Sequence, residues 1–260
     1  MEGAMARGTG ALGARQYIGS MAVGRPGRWG VDAGDRWLPG RCAVCHAWPA
    51  AAVCEECVAL FAQPQHRCRS CATRLPPNLA QCGACVRQAP PLARVLAAVD
   101  YDYPWAQLVR AFKFHADIAW ASSFARLMRS TPWVEPALEV ADWIIPMPLS
   151  AQRLRERGFN QSLVLARALA RELPTKVQDG VILRIRDTLP QSSLPHPQRQ
   201  ANVAQAFVVH PDRFAALRGK KVLLLDDVMT TGASLHAAAG ALLHAGAQPV
   251  TALVFARTPA

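Results

Sequence analysis

All eight cysteines of the chain fall between positions 42 and 85, in four Cys-x2-Cys pairs: Cys42/Cys45, Cys54/Cys57, Cys68/Cys71 and Cys82/Cys85. Two thiolates separated by two residues can grip one tetrahedral metal ion from a single tight turn, and two such pairs fill its four positions. The spacing therefore predicts two structural zinc ions with no thiol left over. The segments CAVCHAWPAAAVCEEC and CRSCATRLPPNLAQCGAC repeat one plan. That repetition predicts sequential sharing, the first pair with the second and the third with the fourth; a cross-braced arrangement would satisfy the same count. A disulfide framework would need an oxidising compartment, and the N-terminus carries no secretory apolar core. Closed four-thiolate sites leave no open position for chemistry, so the zone reads as a structural or contact module. His46 and His66 lie near the ligands, but eight thiolates suffice and both read as exposed.

Three zones follow. Residues 1–36 are rich in Gly, Ala and Arg without sustained periodicity, and read as a disordered tail. The double zinc ribbon spans 37–90 and exits through the adjacent Pro90 and Pro91. From 91 to 260 the pattern changes to alternating strands and helices. RVLAAVDYDY, DWIIPMPL, VILRIR, AQAFVVH, KVLLLDD and PVTALVFART read as strands, with helical material over 104–130, 160–173 and 234–246. This alternation predicts an α/β domain: a mostly parallel sheet with helices on both faces. Only the stretch from Arg186 to Asn202 has no element of its own, and a loop of that length is usually functional or mobile. No apolar run approaches a membrane span, so a cytoplasmic protein is expected. The formal charge is +11, and 25 of the 29 basic residues are arginine. Arginine suits phosphate, but a GC-rich genome supplies it too, so charge alone does not select a polyanionic partner.

The chemistry concentrates in KVLLLDDVMTTGAS, Lys221 to Ser234. A buried strand ends in two carboxylates, and the loop that follows opens a helix closed by Gly246. Carboxylates at a buried strand end are costly unless paired. Thr230, Thr231, Gly232, Ala233 and Ser234 would wrap a phosphate with backbone N–H groups and hydroxyls at a helix N-terminus. Asp226 and Asp227 would accept from vicinal ribose hydroxyls or hold magnesium through water. The loop lacks the lysine of a Walker A motif and the glycine spacing of a dinucleotide fold. The same pattern also fits a strand end whose carboxylates merely cap the next helix.

VLLLDDVMTTGAS resembles the phosphoribosyl pyrophosphate (PRPP) signature of type I phosphoribosyltransferases. Together with PMPLSAQRLRERGFNQS, RIRDTLPQSSL, RQANVAQAF and the fourfold cysteine prefix, it resembles the ComF family of competence-associated proteins. The resemblance implies a type I phosphoribosyltransferase fold behind a double zinc ribbon, with PRPP and magnesium as ligand and cofactor. It implies a pyrophosphate loop at Pro146, Met147, Pro148 and Leu149 with Arg153 and Arg157 beside it, and a lid carrying Gln191, Arg199 and Asn202. Two functions follow from it: phosphoribosyl transfer to an unknown acceptor, or non-catalytic handling of single-stranded DNA with a competence helicase as partner.

Overall fold

The computed structural model describes residues 40–114, 117–171, 176–185 and 206–259, all within one compact unit. The tail expected over 1–36 and the positions Gln191, Arg199 and Asn202 lie outside them.

Five parallel strands form the main sheet: β1 (Arg94–Asp100), β2 (Trp143–Pro146), β3 (Lys176–Val177), β6 (Val222–Met229) and β7 (Val250–Arg257), in the order β1-β7-β6-β2-β3. A parallel sheet is buried on both faces, which is why its strands read as near-continuous apolar runs. Val222, Leu224, Val250, Ala252 and Val254 share a core with Leu235, Ala238, Ala239 and Leu242 of the helix Ala233–His244. Phe255 turns the other way and stacks on Phe124, ring centroids 3.9 Å apart, with Trp105 edge-on at 5.9 Å.

The helices of the second layer are α3 (Trp105–Phe114), α4 (Trp120–Arg129) and α7 (Gln161–Leu169). α4 buries Ala121, Phe124, Ala125 and Met128, the helical spacing of a one-sided apolar stripe. α1 (Glu55–Phe61) and α2 (Gly83–Arg87) belong to the cysteine zone. α5 (Val134–Val140), α6 (Ala151–Arg157) and the short α8 (Phe214–Leu217) precede α9 (Ala233–His244).

The structure corrects several element readings. The helical stretch 104–130 is two helices, α5 was not expected, and the basic segment RLRER, to which no element was assigned, is helical. The strands VILRIR and AQAFVVH do not join the sheet. They pair with each other as β4 (Ile182–Arg184) and β5 (Phe207–Val209), antiparallel. β6 runs on to Met229, which shortens the loop after it to Thr230–Gly232. The end of α9 is as expected: Gly246 (φ 92°) donates to Leu243 and Ala247 to Leu242, a Schellman closure that needs a left-handed residue.

The cysteine zone docks on the carboxyl ends of β1 and β7 through arginines. Arg257 is buried: Nε donates to the Cys71 carbonyl at 2.9 Å, Nη2 to Thr73 Oγ1 at 3.2 Å, and Nη1 to the carbonyls of Met229 at 3.3 Å and Thr258 at 2.5 Å. Arg67 Nη1 donates to Asp100 Oδ1 at 2.6 Å, and Arg74 pairs with the other oxygen of Asp100. Ala72 is fully buried in the main core. Arg257→Met would strand the Cys71 carbonyl and take one of two partners from the Met229 carbonyl, which keeps the Thr258 N–H, and from Thr73 Oγ1. It is expected to cost about 2–4 kcal/mol in denaturant unfolding; a loss below about 1 kcal/mol would mean that these bonds do not hold the zone in place.

Candidate functional site

Chain order steps outward from β2 to β3 on one side and from β6 to β7 on the other. The reversal falls between β2 and β6, the position where open parallel sheets bind ligands. β2 stops at Pro146, opposite Leu225, whereas β6 continues against β7 as far as Met229, opposite Arg257. Asp226 to Met229 therefore project past the neighbouring strand, and the gap is a cleft of about 210 Å³.

Asp226, Asp227, Thr230, Gly232, Ala233 and Ser234 line this cleft together with Met147, Pro148, Leu149, Arg153 and Arg157. Two expected members stand outside it. Pro146 is committed to β2, and Thr231 turns its Oγ1 back to accept from the Ala233 N–H at 3.4 Å. Gly232 is the N-cap of α9 at φ 84°, and a Cβ there would run into Met229 Cε. Glycine is thus favoured by its left-handed backbone, and a side chain there would also displace the Met229 methyl.

Two caps fix the opposite wall. Ser150 Oγ accepts from the Arg153 N–H at 3.3 Å and starts α6. Asn160 Oδ1 accepts from the Ser162 and Leu163 N–H groups at the start of α7, while its Nδ2 donates to the Met147 carbonyl at 3.1 Å. The cap of α7 therefore also holds the PMPL segment.

The sequence reading missed four polar lining residues. Lys113, in the last turn of α3, places Nζ 2.9 Å from Asp227 Oδ1. Ser162 Oγ donates to Asp226 Oδ1 at 2.9 Å, Gln161 accepts from Arg157 Nη1 at 3.1 Å, and Arg184 reaches in from β4. One signal was available for Lys113: in a chain with four lysines, this one alone sits between two phenylalanines on a helix. Burial, and then the neighbouring Asp227, push the Asp226 carboxyl up to about 7, against the pull of Lys113 and the bond from Ser162. Burial lowers Arg157 from the usual guanidinium range; arginine nevertheless stays charged. The cleft thus joins an acidic pair, four cations (Lys113, Arg153, Arg157 and Arg184) and a helix N-terminus. A ligand carrying both phosphate and hydroxyls would satisfy all three.

The cysteines gather sequentially, Cys42, Cys45, Cys54 and Cys57 in one group and Cys68, Cys71, Cys82 and Cys85 in the other, with the sulfurs of each group within 4.8 Å of one another. The duplication extends to the backbone. Cys42 and Cys68 each accept a bond from the residue four positions on, His46 and Ala72, both at positive φ. Cys54 N–H donates to Cys42 Sγ at 3.3 Å, and Cys82 N–H to Cys68 Sγ at 3.4 Å. Sulfurs on a tetrahedral zinc lie about 3.8 Å apart; Cys45 to Cys54 is 3.5 Å and Cys71 to Cys82 is 3.7 Å. The donor set and spacing fit zinc in both groups. The units differ in support: the first has a small core of its own around Cys42, Cys54 and Cys57, while Cys71 and Ala72 pack into the main core. No described helix is long and apolar enough to cross a membrane.

Sheet, cleft and paired cysteine groups define a phosphoribosyltransferase-type α/β fold behind a double zinc-ribbon module. The profile of the "Phosphoribosyl transferase domain" family matches residues 160–260. The chain is 31% identical to the "DNA utilization protein YhgH" of Salmonella typhimurium over 85% of its own length and 98% of that protein. It is 29% identical to "Competence protein F" of Haemophilus influenzae over 73% of this chain and 84% of that one, and 30% identical to "Competence protein ComFC" of Bacillus subtilis over 56% of each. The chain belongs to the ComF family.

Cys45→Ser and Cys71→Ser should each halve the zinc released to a chromogenic chelator from two ions per chain to one. Because a structural zinc site contributes its binding energy to folding, Cys71→Ser should also lower the unfolding midpoint of the sheet domain, and Cys45→Ser should leave it nearly unchanged. The raised Asp226 carboxyl makes a second prediction. Its neutral form is favoured in the fold, so stability is full below about pH 4 and falls as pH rises toward 7, on the order of 2–4 kcal/mol. In Asp226→Asn this slope should vanish, read from melting temperatures between pH 4 and 8.

Proposed function

We propose that the cleft between β2 and β6 binds PRPP with magnesium, and that the protein transfers phosphoribosyl to an acceptor with release of pyrophosphate. The observation that carries this reading is the convergence of Asp226, Asp227, the α9 N-terminus and four cations at the switch point of the sheet. The loop Thr230–Ser234 would take the 5′-phosphate on its backbone N–H groups. Asp226 and Asp227 would accept from the ribose hydroxyls and hold magnesium through water, where the ion would offset their mutual repulsion and stabilise charge on the departing pyrophosphate. Arg153 and Arg157 face the diphosphate. Lys113 would exchange Asp227 for a diphosphate oxygen when the ligand enters.

Displacement at the anomeric carbon proceeds through an oxocarbenium-like transition state and depends on positioning and electrostatics rather than on a covalent nucleophile. The cleft is polar and carries no thiol. A second reading is favoured by the names of the relatives, "DNA utilization" and "competence": the fold serves single-stranded DNA handling in the cytoplasm, with a helicase as partner, and PRPP is bound without turnover.

Calorimetric titration of PRPP with magnesium into the intact protein and into Asp226→Asn/Asp227→Asn tests the site. Binding to the intact protein alone, at least tenfold weaker in the variant, supports it. If neither protein binds PRPP, the reading fails. Pyrophosphate release across a panel of nucleobases then separates transfer from binding alone.

A further inference from the structure

A second cavity of about 420 Å³ shares no lining residue with the cleft of about 210 Å³. It lies between the second cysteine unit, strand β1 and the turn joining α4 to α5. Arg67, Arg69 and Arg94 line it, with no Asp or Glu among the lining residues. Arg67 is paired with Asp100, but no carboxylate pairs with Arg69 or Arg94 among the described residues, and guanidinium ions in that state select an anion. Arg67 has only a tenth of its side chain exposed, and while Nη1 bonds Asp100, Nη2 is buried without a partner.

Trp133 forms the rim. Its backbone is left-handed at φ 73°, the residue is 63% exposed, and the Arg94 guanidinium lies 5.2 Å from the ring centroid. A bulky residue in the left-handed region is a strained outlier, and such strain concentrates where a side chain must be presented to a ligand. An exposed indole backed by arginine is a stacking platform for a flat heteroaromatic ring. The volume lies within the roughly 300–1,000 Å³ of small-molecule sites.

We propose that this cavity binds a nucleotide, its base on Trp133 and its phosphate between Arg69 and Arg94. The nucleotide can be free or can be one unit of a single strand. The site is independent of PRPP binding in the cleft.

The test is fluorescence anisotropy of the full chain with a labelled oligothymidylate, and calorimetry with thymidine monophosphate, on wild type, Trp133→Gly, Arg94→Gln and Asp226→Asn/Asp227→Asn. Trp133→Gly should weaken binding about tenfold, the loss of one stacked base. It should not lower the melting temperature, because glycine suits the positive φ. Arg94→Gln should weaken binding and reduce its salt dependence, and it decides the matter should Trp133→Gly fold poorly. PRPP titrations should be unchanged in both variants. Oligonucleotide binding without mononucleotide binding identifies a single strand as the source; equal affinity identifies a free nucleotide. Absence of binding by either probe overturns the proposal. So does binding that survives both rim substitutions, or that is lost only with the cleft aspartates.

Discussion

The unequal length of two neighbouring strands governs this structure. β2 ends at Pro146 and β6 continues to Met229, so four residues of β6 lose their partner on one side. Those residues begin with Asp226 and Asp227, which a fully paired central strand could not accommodate at tolerable cost. The open side admits Lys113 from α3 and Ser162 from α7, and each supplies one carboxylate with a partner. The cleft, its charge balance and the perturbed carboxyl of Asp226 all follow from that early stop.

The cysteine zone is tied to the same region through Arg257. One guanidinium holds the Cys71 carbonyl and Thr73 in the zone, and the Met229 carbonyl immediately before the loop Thr230–Gly232. A buried cation of this kind is tolerated only because several acceptors surround it. The second cysteine unit thereby buttresses the loop whose Gly232 starts α9. The first unit keeps its own small core and reaches the domain through Phe61, whose carbonyl accepts from Trp105 Nε1 at 2.7 Å. Duplicated in sequence, the two units differ in what they hold.

The main strands and the long helices were legible because apolar runs and helical spacing report burial directly, as in β6, β7 and α4. The eight thiolates were legible for a similar reason, since chelation constrains spacing along the chain. Local readings failed where pairing decides. VILRIR and AQAFVVH have strand composition, yet nothing local distinguishes joining the parallel sheet from pairing with each other. RLRER lacks an apolar stripe, and its helix rests on the Ser150 cap instead. Thr231 belonged to the phosphate motif by spacing, but its hydroxyl is spent on the backbone of the turn.

By itself the sequence determined the chemistry available: sulfur donors in pairs, an acidic pair on a buried strand, and a glycine at the mouth of a helix. These depend on neighbours within a few residues, where covalent geometry leaves few choices. Only the tertiary structure decided which groups meet. Lys113 and Asp227 lie on elements far apart in the chain, as do Arg257 and Cys71, and Arg94 and Trp133. Such encounters are set by strand order and strand length, because a polar group buried by packing must find its partner wherever the fold brings one.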